Sequence, residues 1–222
     1  MKQTYPGKER REPRLTQSNY LLLKYLANLL KENVQQLPSG KNLLVLDCGC
    51  GQKPYFPFFE SKSSLYVGID REKTKEVDVL GDAESLPFKD SLFDVVLCTQ
   101  VLEHALSPST LIDETYRVLK QGGLLLLSTH GVWPIHDPQF DFWRWTRLGL
   151  KKMLVKFRTV RLYNCGEGIA SFFQMVNWYV PNTRYVRPFI AFFLNIMGER
   201  LDNIFGNKVS KIIVNYLAVA KK

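Results

Sequence analysis

The chain has 222 residues, 45% apolar and 23% charged, close to globular averages, which excludes a wholly disordered or fibrous protein. That length suits one large domain or two small ones, with enough core to need no staples. The formal net charge of +9 sits entirely in the last third: residues 1–150 hold 18 basic and 18 acidic side chains, residues 151–222 hold 12 and 3.

The opening is polar throughout and lacks a secretory pattern. Residues 1–17 are basic, contain Pro6 and Pro13 and show no periodicity, so a flexible basic arm is expected before a single domain over residues 18–222. From Ser18 the pattern turns helical, with Leu22, Leu26, Leu29 and Leu30 at three- and four-residue steps until Pro38-Ser39-Gly40.

Residues 43–47 are apolar on both faces and run straight into glycines, as a parallel strand covered by helices should. Similar runs recur at residues 65–69, 77–80, 93–98 and 124–127. Between the last two lies a helix with Ser107 as cap, Pro108 in its first turn, a stripe of Leu111, Thr115, Val118 and Leu119, and Gly122 as its stop. Strands alternating with helices predict a doubly wound α/β sheet.

A loop over residues 129–145 breaks that rhythm. A helix follows over 146–157, with Leu150, Leu154 and Phe157 on one face, then strands at 159–164 and 212–220. A helical insertion fills residues 166–210. In it Ile169, Phe172, Phe173 and Val176 line one stretch, and Leu194, Met197, Leu201 and Ile204 line another.

The chemistry should lie at the end of the first strand, in Val45-Leu46-Asp47-Cys48-Gly49-Cys50-Gly51. Open parallel sheets bind ligands at the carboxyl ends of their strands, and two glycines let backbone approach a ligand. Asp70, 19 residues after Gly51, ends the second strand where a carboxylate can accept bonds from two ribose hydroxyls. A dinucleotide site wants a third glycine where this chain has Pro54, which removes an amide donor. A nucleoside lacking a pyrophosphate fits better than a nicotinamide cofactor. Asp82, in Gly81-Asp82-Ala83-Glu84, can accept a bond from an adenine amino group.

These segments, with Phe93-Asp94-Val95-Val96, Val101-Leu102-Glu103-His104 and Tyr116-Arg117-Val118-Leu119-Lys120-Gln121-Gly122-Gly123, resemble the class I S-adenosylmethionine-dependent methyltransferases of the small-molecule type with a D-x-G-C-G first motif. The likeness is dense over residues 40–130. It implies a Rossmann-like sheet of seven strands, the last antiparallel, and S-adenosylmethionine as cofactor. By motif position Asp47, Cys48, Gly49 and Gly51 should surround its methionine portion, Asp70 its ribose, Asp82 and Ala83 its adenine. Gln100 should lie near the methyl-transfer face. The stretch from His136 through Asp141, Trp143, Arg144, Trp145 and Thr146 to Leu150 is similar to a W-R-aromatic-T subgroup of methyltransferases, often linked to surface-glycan synthesis.

The expected activity is methyl transfer to a small-molecule, lipid-linked or saccharide-type acceptor at oxygen. The place of the N/D-P-P-Y motif of many nitrogen-methylating relatives reads Cys98-Thr99-Gln100-Val101 here. His130, ending the fifth strand, and His104 are candidate bases, with His136 and Asp141 also available. Asp141, Trp143 and Arg144 are candidate substrate residues, Arg144 for a carboxylate or phosphate. The alternatives are a cofactor-binding subunit without catalysis, and an RNA methyltransferase. No metal is expected. Four irregularly spaced cysteines form no disulfide framework, which points to the cytoplasm. The longest apolar run, residues 189–194, falls far short of the ~20 residues that span a bilayer. The basic, aromatic last third reads either as a helical cover whose aromatics pack on the sheet, or as a peripheral surface at the inner membrane face. Nucleic acid is the weakest partner reading, since no RNA-binding module is appended.

Overall fold

The computed structural model describes residues 7–40, 42–137, 139–206 and 212–222. Its seven strands are β1 (Leu43–Cys48), β2 (Ser63–Asp70), β3 (Val79–Leu80), β4 (Phe93–Thr99), β5 (Leu119–His130), β6 (Thr159–Asn164) and β7 (Asn215–Lys221). They form one sheet in the order β3-β2-β1-β4-β5-β7-β6, in which β7 alone runs against the rest. The predicted α/β class and doubly wound sheet are what the chain adopts.

Among the described residues seven α-helices accompany the sheet: α1 (Lys8–Arg11), α2 (Tyr20–Gln35), α3 (Phe56–Phe59), α4 (Pro108–Val118), α5 (Arg147–Met153), α6 (Gly168–Tyr179) and α7 (Val186–Phe205). The central strands read as unbroken apolar runs because alternate residues feed two cores. Leu46, Cys48, Val96, Cys98, Leu125 and Leu127 pack on the side of α4 and α5. Val45, Tyr66, Val95, Leu97 and Leu126 pack on the side of α2 and α3.

Several boundaries differ from expectation. The helix predicted over 146–157 stops at Met153; Thr146 caps it by accepting from the Gly149 amide at 3.0 Å, while Leu154 and Phe157 are buried from the turns beyond. α4 ends at Val118 and not at Gly122, because Leu119 already pairs with Phe93 and is fully buried there. The third strand shrinks to Val79–Leu80.

Residues 1–6 of the expected arm lie outside the described residues, but residues 7–17 are docked. Arg11 donates to the Pro54 carbonyl at 2.9 Å, and Asn195 Nδ2 donates to the carbonyls of Leu15 and Gln17 at 2.7 and 2.8 Å. A segment with no periodicity of its own is held by partners far along the chain.

Candidate active site

At β1 the strand order turns back on itself: β2 lies on one side and β4 on the other, and Asp47 pairs with both Gly68 and Leu97. Loops leaving the carboxyl ends of β1 and β4 therefore diverge and open a crevice. A cleft of about 390 Å³ occupies this place, walled by Gly49, Asp70, Asp82, Ala83, Gln100 and His104 among others, within the range of small-ligand sites.

The loop after β1 exposes backbone to the cleft. Gly49 has φ of 64°, and a Cβ there would stand 2.3 Å from the Val101 side chain. Gly51 has φ of 50°, and a Cβ there would meet nothing within 4 Å, so the space above it is open for a ligand. The Gly51 amide donates to Asp70 Oδ2 at 2.8 Å, and the Glu72 amide to Oδ1 at 3.0 Å. Fixed from two sides, the Asp70 carboxylate keeps lone pairs for further donors. Asp82 is similar: Oδ2 accepts from Arg71 at 2.8 Å and Oδ1 from the Glu84 amide at 2.8 Å. After this loop the chain makes only the four-residue α3, not the long helix whose N-terminus a pyrophosphate needs.

Gln100 holds φ of 59°, unusual for a residue with a side chain, and its Nε2 donates to Ser128 Oγ at 3.0 Å and Asn215 Oδ1 at 2.9 Å. His104 ends a 3₁₀ turn, Leu102–His104. Its Nδ1 lies 2.8 Å from the Phe140 carbonyl. A carbonyl only accepts, so Nδ1 carries the proton and Nε2 is left as the basic atom of the neutral ring.

All three histidines of the chain meet beside the cleft. The His136 ring centroid is 5.1 Å from that of His104 and 5.2 Å from that of His130. His136 Nδ1 lies 3.3 Å from Asp141 Oδ2. Arg144 grips Asp141 through both terminal nitrogens, at 2.5 and 2.7 Å, and holds its carboxyl down at about 2. His104, His136 and Asp141 have ligand atoms within 4.8 Å of one another, but the guanidinium already on that carboxylate opposes a second cation.

Other expected site residues fall outside the cleft wall. Asp47 is buried beneath the glycine loop, where Tyr66 donates to it at 2.7 Å and burial pushes its carboxyl up to about 7. Cys48 is fully buried in the sheet. His130 corrects the expectation that the end of β5 faces the cleft. It is buried and stacked on Trp133 at 4.8 Å, and burial lowers its pKa to about 3. It faces the buried Glu103, whose own pKa burial raises, at 3.5 Å.

Arg144 is a second correction, because its five N–H groups are already spent. Beyond Asp141, they reach the carbonyls of Trp133 at 2.8 Å, Pro134 at 2.9 Å and Trp143 at 2.7 Å. Asp141 is consumed by the same pairing. Trp143 donates from its indole to the Ala105 carbonyl at 2.8 Å, fastening this loop to the 3₁₀ turn. These residues shape a loop and do not reach for a substrate anion. Residue reasoning passed over Phe140, Arg71 and Glu84, which also line the cleft; Glu84 alone had a signal, two places after Asp82.

Strand order and the placement of the glycine loop and two carboxylates at the strand ends give the chain a Rossmann-like methyltransferase architecture. Residues 46–127 match the family model described as a methyltransferase domain. An uncharacterised protein of Methanocaldococcus jannaschii is 34% identical over 116 residues, covering 48% of this chain and 51% of the relative. A ubiquinone/menaquinone biosynthesis C-methyltransferase of Chromobacterium violaceum is 36% identical over 99 residues, covering 43% and 41%. Among solved structures, an S-adenosylmethionine-dependent methyltransferase from Archaeoglobus fulgidus superposes with a TM-score of 0.54 at 22% identity, over 88% of this chain and 94% of that one. The chain spans about half the length of the curated relatives it matches. Over residues 46–127 the chain is thus similar to the methyltransferase-domain family, and its fold is the Rossmann-like one of that solved methyltransferase.

Proposed function

We propose that the protein transfers a methyl group to an oxygen of a small-molecule or lipid-linked, saccharide-type acceptor, with His104 taking the acceptor's proton. The observation that carries this reading is the place of His104: it stands in the cleft wall with Gly49 and Gln100, its Nδ1 committed to Phe140. S-adenosylmethionine, when bound, supplies a sulfonium methyl open to nucleophilic attack. Asp70 holds the ribose through the lone pairs that the Gly51 and Glu72 amides leave free. Asp82 and Ala83 flank the adenine. Gly49 and Gly51 offer backbone to the methionine portion, with Asp47 and Cys48 bracing that loop from below. Gln100, held by Ser128 and Asn215, bounds the transfer face.

Orientation is the main contribution of such a cleft, on the order of 7–11 kcal/mol of barrier. A hydroxyl acceptor also needs its proton removed, which a placed base accelerates about 10²–10⁴-fold. His104 accepts at Nε2, and the His136–Asp141–Arg144 chain beside it keeps an ionised carboxylate near the imidazolium that forms.

The test uses radiolabelled S-adenosylmethionine with fractionated cell-extract acceptors, and calorimetry for cofactor binding. Asp70→Ala should weaken cofactor binding at least about ten-fold, and His104→Ala should leave it within about two-fold while lowering transfer about 10²–10⁴-fold. Unimpaired transfer in His104→Ala, or label on carbon or nitrogen, overturns the oxygen reading. Tight binding with no labelled product at all would mark a cofactor-binding subunit, and label in RNA the other alternative.

A further inference from the structure

The helices α6 and α7 are built inside out. The side of α7 packed on the body carries Ala191, Asn195, Gly198 and Asp202; that of α6 carries Ala170, Ser171, Gln174 and Asn177. Their polar groups face inward: Asn177 Nδ2 donates to Asn195 Oδ1 at 2.7 Å, Gln174 to the Ser18 carbonyl at 2.7 Å, and Asp202 accepts from the amides of Glu167 and Ala170. The opposite side is aromatic and open. Phe189 is 65% exposed, Phe193 50%, Phe172 60% and Ile204 63%. Phe189 and Phe193 meet edge to face one turn apart at 4.8 Å, and Phe192 meets Phe193 edge to face at 5.4 Å. A helix that hides amides and shows phenylalanines is suited to an apolar exterior.

The charges say which exterior. Residues 151–222 contain three acids. Asp202 is buried, Glu199 is paired with Lys24, and Glu167 accepts from Asn164 at 3.0 Å. What the outer side shows is cationic: Arg200 on the aromatic flank of α7 by helical spacing, and Arg184 in the exposed turn before it. A second copy of the chain would bring like charge against like, whereas an anionic bilayer brings the complement. No helix among the described residues is long and apolar enough to cross a membrane.

We propose that the outer face of α6 and α7 seats this protein in the plane of an anionic lipid surface. This rests on no assignment of acceptor or of methyl transfer. Trp178 on α6 meets Trp133 at 5.1 Å, and Trp133 is the ring stacked on His130, so the seated face adjoins the loop that bounds the cleft.

The experiment is sedimentation of the full chain with phosphatidylcholine vesicles, with and without phosphatidylglycerol. The wild type should pellet with the anionic vesicles and far less with the neutral ones. Phe189→Ser with Phe193→Ser should weaken anionic binding at least about ten-fold. Arg184→Gln with Arg200→Gln should weaken it roughly five-fold per arginine, an effect that added salt abolishes. Calorimetric binding of S-adenosylmethionine, unchanged in both variants, shows that they fold. Absence of the wild type from both pellets overturns the proposal. So does a wild-type dimer in sedimentation velocity that the phenylalanine pair dissolves, which would make the face a contact between copies.

Discussion

Asp47 illustrates how a residue at the centre of a motif is governed by its burial. Its carboxyl is pushed up to about 7 mainly by desolvation, which the Tyr66 hydroxyl offsets only in part. An unfolded aspartate titrates near 3.9. Between about pH 4 and 7 the native state keeps a proton that the unfolded chain releases, so this group costs stability as pH rises through that window. Asp47→Asn does not titrate and can still accept from Tyr66. Its stability relative to wild type should therefore rise from pH 5 to pH 8, by on the order of 2–4 kcal/mol, as read from melting temperatures at the two pH values. A gap that stays constant, or that closes with rising pH, would show that Asp47 is ionised in the fold. Arg144 carries the same lesson outside the cleft wall. The pattern W-R-W marks a cation, but only the structure shows all five of its donors already answered.

The start of α4 shows how an element is held from outside its own sequence. Ser107 occupies the cap position, yet its hydroxyl turns to Ser109 and Thr110 at 3.3 and 2.8 Å and caps no amide. Glu84, from the loop after β3, takes the amides of Leu106 and Ser107 instead, each at 2.8 Å, and also Arg71 at 3.2 Å. A carboxylate there also faces the positive end of the helix. Glu84→Ala should lower stability by about 2–3 kcal/mol, since two charge-assisted bonds are lost and their donors are left behind. A urea titration with unchanged slope measures this, and a change under about 0.5 kcal/mol would mean water replaces the carboxylate at no cost. The strands β1, β4 and β6, by contrast, were readable to within a residue, whereas β5 and β7 were not. β4 is buried along most of its length, and a run such as Val95-Val96-Leu97-Cys98 has few other places to go.

For the whole molecule, the N-terminal segment and the last third support each other. Asn195 on α7 ties down the carbonyls of Leu15 and Gln17, and Gln174 on α6 ties down Ser18. Asn195→Ala should release residues 7–17, at a cost of about 1–3 kcal/mol. Limited trypsin digestion should then cut at Lys8, Arg10, Arg11 or Arg14 well before the rest of the chain. Cleavage as slow as in the wild type would show that α1 and Arg11 hold the segment without it. Composition marked this third as basic and aromatic. It did not say which side of each helix turns inward, and the faces lined by Phe172 and Met197 proved to be the outer ones.

The sequence by itself determined the sheet, the glycine loop and the two carboxylates that follow it. Those features are local: an apolar run needs burial on both faces, and a chain reversal at a strand end needs residues such as Gly49 and Gly51. Tertiary structure decided which polar side chains stay free to act. His104, His130 and His136 lie 26 and 6 residues apart in sequence, and nothing in that spacing tells an open imidazole from a buried one. Burial depends on what the rest of the chain stacks above each ring. Trp133 covers His130, while His104 keeps its place in the cleft wall.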